Sequence, residues 1–158
     1  MEHARAAQAA DLPAVAQLLT AQHAELASQR GGDLWTAIHP PAPLDELAAM
    51  VDDPATLVLC GTWHDVVVGT LTAHIVEVPE IGAVATIDDL YVEHEAREVG
   101  VGAALMDALR TWARDAGCVG VDATVLPGAR ATKNFFEAHG LVARAITVHN
   151  RFDLEAPR

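Results

Sequence analysis

The chain has 158 residues, 51% hydrophobic and 20% charged, which is enough apolar content to bury the core of a single domain over residues 1–158. No run of about 18 apolar residues free of charge occurs, so neither a membrane-spanning helix nor a membrane partner is expected. Net charge is −12, from 22 acidic against 10 basic residues, which argues against nucleic acid, whose phosphates need Lys and Arg. The same acidity suits solubility, or the attraction of a cationic substrate into an acidic cleft.

The N-terminal stretch is polar and carries helix-start signals, so no signal peptide is visible. The two cysteines, Cys60 and Cys118, are too few and too far apart for a disulfide scaffold or a paired-cysteine metal site. They point to a reducing, cytoplasmic setting.

Helical spacing begins after Asp11, a candidate N-cap, with Pro13 tolerated in the first turn. Val15, Leu18, Leu19, Gln22 and Leu26 then share one face, and Gly31 and Gly32 close the helix. Residues 33–43 read as an irregular stretch whose prolines stop any helix. A short helix is predicted over residues 44–51, ending before Asp52-Asp53-Pro54. Residues 56–62, 66–78 and 83–92 read as three strands of a meander, with turns at His64-Asp65 and at 79–82. Val101, Leu105, Ala108, Leu109 and Trp112 form the stripe of the next helix, which Gly117 ends. A strand over 119–125 follows, then a helix with Thr132, Phe135, Phe136 and His139 on one face, ended by Gly140. The tail, 141–153, reads as one or two further strands. Antiparallel strands followed by a strand–helix–strand unit predict a mixed-sheet α/β (α+β) domain.

The chemistry concentrates in Arg97-Glu98-Val99-Gly100-Val101-Gly102-Ala103, between a strand and a helix. A glycine-bearing turn there aims unpaired main-chain N–H groups at one spot, at the positive end of a helix dipole. That is an anion site, and phosphate is its usual guest. The glycines alone would also serve close packing of helix on sheet. A dinucleotide fingerprint fits less well: its third small position is Leu105, and the strand holding the candidate acid Asp122 continues beyond it.

The stretch resembles the signature of the GNAT superfamily of N-acetyltransferases. Arg97, Gly100 and Gly102 match it, preceded by a strand ending Asp89-Leu90-Tyr91-Val92. The order of elements also matches across nearly the whole chain, through Phe135-Phe136-Glu137-Ala138-His139-Gly140-Leu141 near the C-terminus. The resemblance implies acetyl-CoA and a splayed central strand pair in a mostly antiparallel sheet flanked by helices. Main-chain groups of Leu90, Tyr91 and Val92 would hold the pantetheine arm like an added strand. Amides of Glu98, Val99, Gly100, Val101, Gly102 and Ala103 would hold the diphosphate, with Arg97 opening the loop. Arg130 and Lys133 would either add charge near the cofactor or lie free at the surface.

The implied reaction is attack of a neutral primary amine on a thioester, which needs a base. Asp88 and Asp89 are the candidates; strand alternation predicts that one faces the cleft and the other a helix end or solvent. Both could instead be structural or substrate-binding carboxylates. His74 and Glu77 are weaker alternatives. Phe136 is expected at the cofactor, where many members place a tyrosine acid, and it has no proton to give; Ala129 stands where asparagine is frequent. A water or a hydroxyl such as Thr124 would have to serve. Trp35, Ile38 and His39 would line the acceptor site. Two functions follow: an N-acetyltransferase acting on a small cationic amine, or a non-catalytic acyl-CoA-binding sensor. A homodimer through an exposed strand edge or the C-terminal strands is a further expectation.

Overall fold

The computed structural model describes residues 1–152. In chain order it contains β1 (Glu2–Ala6), α1 (Leu12–Ala27), α2 (Gly32–Ile38), α3 (Leu44–Asp52), β2 (Thr56–Trp63) and β3 (Val66–Val78). Then come β4 (Gly82–Val92), α4 (Val101–Asp115), β5 (Gly120–Ala123) and α5 (Arg130–Ala138). One sheet runs in the order β1-β2-β3-β4-β5, antiparallel except for the parallel β4–β5 pair.

The middle strands are apolar on both faces because both faces are covered. On one side Leu57, Leu59, Leu71, Ala73 and Ile87 pack against Val101, Leu105, Met106 and Leu109 of α4 and Phe136 of α5. On the other, Val58 and Cys60 pack against Val15 and Leu19 of α1 and Leu47 of α3. The β2–β3 hairpin turns at His64 and Asp65, both with positive φ, as a tight right-twisted hairpin requires.

One strand is added to the expected elements and two expectations are corrected. Glu2–Ala6 is a strand, although it has no apolar run, because it pairs with β2 along its length from Glu2↔Trp63 to Ala6↔Leu59. Within the stretch read as irregular, Gly32–Ile38 is helical; Pro40 follows it, and the Thr36 hydroxyl donates to Gly32 C=O at 2.7 Å. No strand forms over 141–152, despite the alternation there; Asp153 lies outside the described residues.

Asp11 precedes α1 but does not cap it with its side chain. Its carboxylate accepts from Arg5 at 2.6 and 2.9 Å and from the Gln8 N–H at 2.8 Å. These bonds hold it below the usual carboxylate range, at about 2.

Two features of β4 position the site. Opposite β3 the register passes from Thr72↔Asp89 to Ala73↔Ile87, so Asp88 is the extra residue of a β-bulge. Opposite β5 the pairing covers only Val84↔Gly120 to Ile87↔Ala123. Residues 88–92 therefore continue along an open edge, as expected of a splayed strand pair.

Candidate active site

The bulge corrects the expected division of the two acids. Both Asp88 and Asp89 line a cavity of about 580 Å³, whose wall also includes Ile87, a residue of the core shared with α4. The added residue breaks the two-residue period, so adjacent side chains emerge on one side. Thr72 Oγ1 donates to Asp89 Oδ2 at 2.6 Å, and His74 Nδ1 lies 2.8 Å from Asp88 Oδ2. Burial pushes the Asp89 carboxyl above its ordinary range; the Thr72 hydrogen bond opposes the shift and the neighbouring Asp88 charge adds to it.

Across the cavity stand Trp35 of α2 and His39 just after it, stacked with ring centroids 3.8 Å apart, and Glu46 of α3. Thr124, just beyond β5, completes the rim. Ile38 is exposed and Glu77 lies on an exposed part of β3, and neither lines the cavity. Gln22 and His23 of α1 line it as well. The sequence reading missed both, although Gln22 is a polar side chain on the inward face of α1, which was the available signal.

The open edge of β4 leads from the carboxylates toward the glycine loop. Glu93 N–H donates to Val68 C=O at 2.8 Å, so alternation turns the main-chain groups of Tyr91 toward β3 and those of Leu90 and Val92 outward. The Tyr91 main chain is thus not available at the open edge, contrary to expectation. Gln22 donates to Leu90 C=O at 3.3 Å, and Arg97 Nε to Val92 C=O at 2.9 Å. The Arg97 guanidinium also holds Glu25 of α1, at 2.9 and 3.2 Å, and lies over the Tyr91 ring. Arg97 is therefore engaged by protein groups.

In the loop, Glu98 and Gly100 both hold positive φ, at 72° and 92°. Gly100 caps α4, whose first main-chain bond runs from Ala104 N–H to Gly100 C=O. Among the described residues no main-chain or side-chain acceptor engages the N–H groups of 98–103. Six successive donors without an acceptor thus stand at the positive end of a helix of 15 residues, where an anion is favoured. Gly102 has a second reason to be small, since a Cβ there would lie 3.1 Å from Phe135 Cε2.

Phe136 is corrected: it is 5% exposed, inside the core with Leu105 and Leu109, and does not line the cavity. Arg130 and Lys133 sit on the outer face of α5, with Lys133 3.4 Å from Glu137. Asp122, the acid of the rejected dinucleotide reading, pairs with Arg144.

Comparison with known proteins gives the family and the fold. The model of the Acetyltransferase (GNAT) family matches residues 16–141. The chain belongs to the GNAT acetyltransferase family. A search of curated proteins finds no match. Among solved structures, the tetramutant of BH1408 protein from Bacillus halodurans is 21% identical, with a TM-score of 0.82 over 94% of this chain and 99% of that one. A ribosomal-protein-alanine N-acetyltransferase from Brucella melitensis biovar Abortus 2308 is 20% identical, with a TM-score of 0.68 over 97% of this chain and 100% of that one. An aminoglycoside acetyltransferase from an uncultured soil metagenomic sample is 19% identical, with a TM-score of 0.68 over 98% and 97%. These likenesses establish the GNAT fold. Among the described residues, no helix is long and apolar enough to cross a membrane.

Members of the family generally use acetyl-CoA, and the residues of this GNAT protein suit that group. The free amides of 98–103 match a diphosphate, and the outward N–H groups of Leu90 and Val92 match an extended amide-bearing arm.

Proposed function

We propose that this GNAT protein is an acetyl-CoA-dependent N-acetyltransferase acting on the primary amine of a small cationic acceptor, with both substrates bound together. The observation that carries the reading is the pair of carboxylates, Asp88 and Asp89, brought into one cavity opposite the Trp35–His39 stack. An alkylammonium group is attracted both by carboxylates and by an aromatic face. Glu46 and the chain's net charge of −12 act in the same direction.

Bound acetyl-CoA would supply an acyl thioester as the electrophile. The amides of 98–103 would hold its diphosphate, and Leu90 and Val92 its arm. An alkylammonium has a pKa near about 10, so the nitrogen must lose a proton before it can attack. Asp89 is the better base of the pair, because burial raises its proton affinity and Thr72 fixes its orientation. Asp88, more exposed and held by His74, would anchor the ammonium. The Leu90 N–H, turned to the open edge, would polarise the acyl carbonyl. A water, or a hydroxyl such as that of Thr124 on the cavity wall, would return a proton to the departing thiolate. Both cysteines are free thiols, which suits a reducing cytoplasm.

The burial of Phe136 favours one rival, a sensor that binds acyl-CoA without turnover. The test is release of free thiol from acetyl-CoA with a panel of polyamines, aminoglycosides, amino acids and peptide N-termini. Release with cationic primary amines is expected. Binding of the donor with no release above hydrolysis for any acceptor would replace the enzyme with the sensor.

A further inference from the structure

Beyond its pairing with β5, β4 turns four main-chain groups outward: the N–H and C=O of Leu90 and those of Val92. Both carbonyls are taken by side chains of the same molecule. Gln22 Nε2 donates to Leu90 C=O at 3.3 Å, and Arg97 Nε donates to Val92 C=O at 2.9 Å. Among the described residues, the two N–H groups meet no acceptor. The edge is therefore lopsided, with its donors open and its acceptors closed.

The closure is held from α1. Gln22 and Glu25 stand three positions apart on that helix and so share a face. Glu25 takes the Arg97 guanidinium through two bonds, at 2.9 and 3.2 Å, and the guanidinium carbon lies 5.5 Å from the centre of the Tyr91 ring. Freeing Val92 C=O costs a charge-assisted bond and disturbs these contacts with it. A strand added to a sheet edge needs main-chain donors and acceptors in alternation. An edge of donors alone cannot take a peptide strand, but it can take an extended chain that offers carbonyl oxygens. The acylated arm of acetyl-CoA is such a chain, with a thioester carbonyl followed by those of two amides.

We infer that Gln22 and Arg97 are specificity-determining residues that close the acceptors of this edge, so that an extended arm is held through its carbonyl oxygens while its N–H groups go unread. This rests on the proposed placement of acetyl-CoA along β4, and it adds a bar to peptide strands in the same gap.

The test compares coenzyme A with an analogue whose two arm amides are replaced by esters, which keep the carbonyls and lose the N–H groups. Calorimetric titration of the wild type with each gives a ratio of affinities. Gln22→Leu and Arg97→Leu each free one acceptor. In each variant the ratio should therefore shift toward coenzyme A by about twofold to tenfold, the worth of one recovered hydrogen bond. The weaker acceptor strength of an ester cancels, because it is common to all the proteins compared. Gln22→Glu keeps the shape of the side chain without its donor, and it should shift the ratio the same way if circular dichroism shows Gln22→Leu unfolded. An unchanged ratio in a folded variant of either residue, with coenzyme A still bound, would overturn the inference alone. No binding of coenzyme A to the wild type would overturn it together with the proposed cofactor.

Discussion

Replacing Gly100 by alanine probes the loop at its tightest point. The residue holds φ +92°, where a Cβ meets the neighbouring carbonyl at a cost of about 1–2 kcal/mol. The new methyl would also lie 3.2 Å from Glu2 Cγ, an atom of a flexible side chain that can retreat. The expected loss of stability is therefore about 1–2 kcal/mol, small against the roughly 5–15 kcal/mol of an ordinary domain. The fold survives, and binding carries the main effect. Relaxing the strain turns the amides around residue 100 away from their common target. A hydrogen bond to a charged group contributes about 1.5–3 kcal/mol, so loss of one weakens coenzyme A by about tenfold or more. Urea unfolding followed by circular dichroism gives the first quantity, and calorimetric titration with coenzyme A the second. A variant that loses the stability but keeps its affinity for coenzyme A would refute the assignment of these amides to the diphosphate.

Asp89→Asn should lower kcat by about 100-fold or more, as removal of a general base does. It should also stabilise the fold at neutral pH. The folded carboxyl is raised above its ordinary 3.8, so its ionisation opposes folding once the pH passes through the raised value, and unfolding curves for the two proteins should converge below 3.8. Asp11 carries the opposite sign. Its carboxyl is lowered to about 2, so Arg5→Ala should cost stability at pH 7. About 1 kcal/mol is expected once solvent screening is allowed for, and acid titration of unfolding should show it disappearing between 3.8 and about 2. Phe136→Tyr should cost about 1–3 kcal/mol by burying an unpaired hydroxyl, and should leave kcat unchanged in steady-state assays. Trp35→Ala should raise KM for a cationic acceptor several-fold, by loss of about 1 kcal/mol of cation–π attraction, with less effect on kcat.

The meander, α1, α4 and the glycine loop were legible because each is written in local chemistry: apolar periodicity, β-branched runs, or glycines at a strand–helix junction. β1 was not, since Glu-His-Ala-Arg-Ala has no periodic signal and becomes a strand only through its ladder with β2. α2 escaped because a short helix ending next to prolines looks like a loop. The bulge at Asp88 is a property of register between two strands, so one strand's alternation could not reveal that both acids share a cavity. Adjacent aspartates in an apolar strand were the hint that something local departs from the period. Phe136 was assigned to the cofactor by its place in a motif, whereas the packing of α5 on α4 sends the ring into the core. The tail shows the converse failure: its pattern is that of a strand, but a strand needs a partner.

Coenzyme A and pantetheine differ by the nucleotide end that carries the diphosphate, so titrating both by calorimetry separates the loop from the open edge of β4. Coenzyme A should bind at least about 100-fold more tightly, corresponding to one or two charge-assisted bonds from the amides of 98–103. Equal affinity for the two, or no binding of coenzyme A, would contradict an anion cradle at the start of α4.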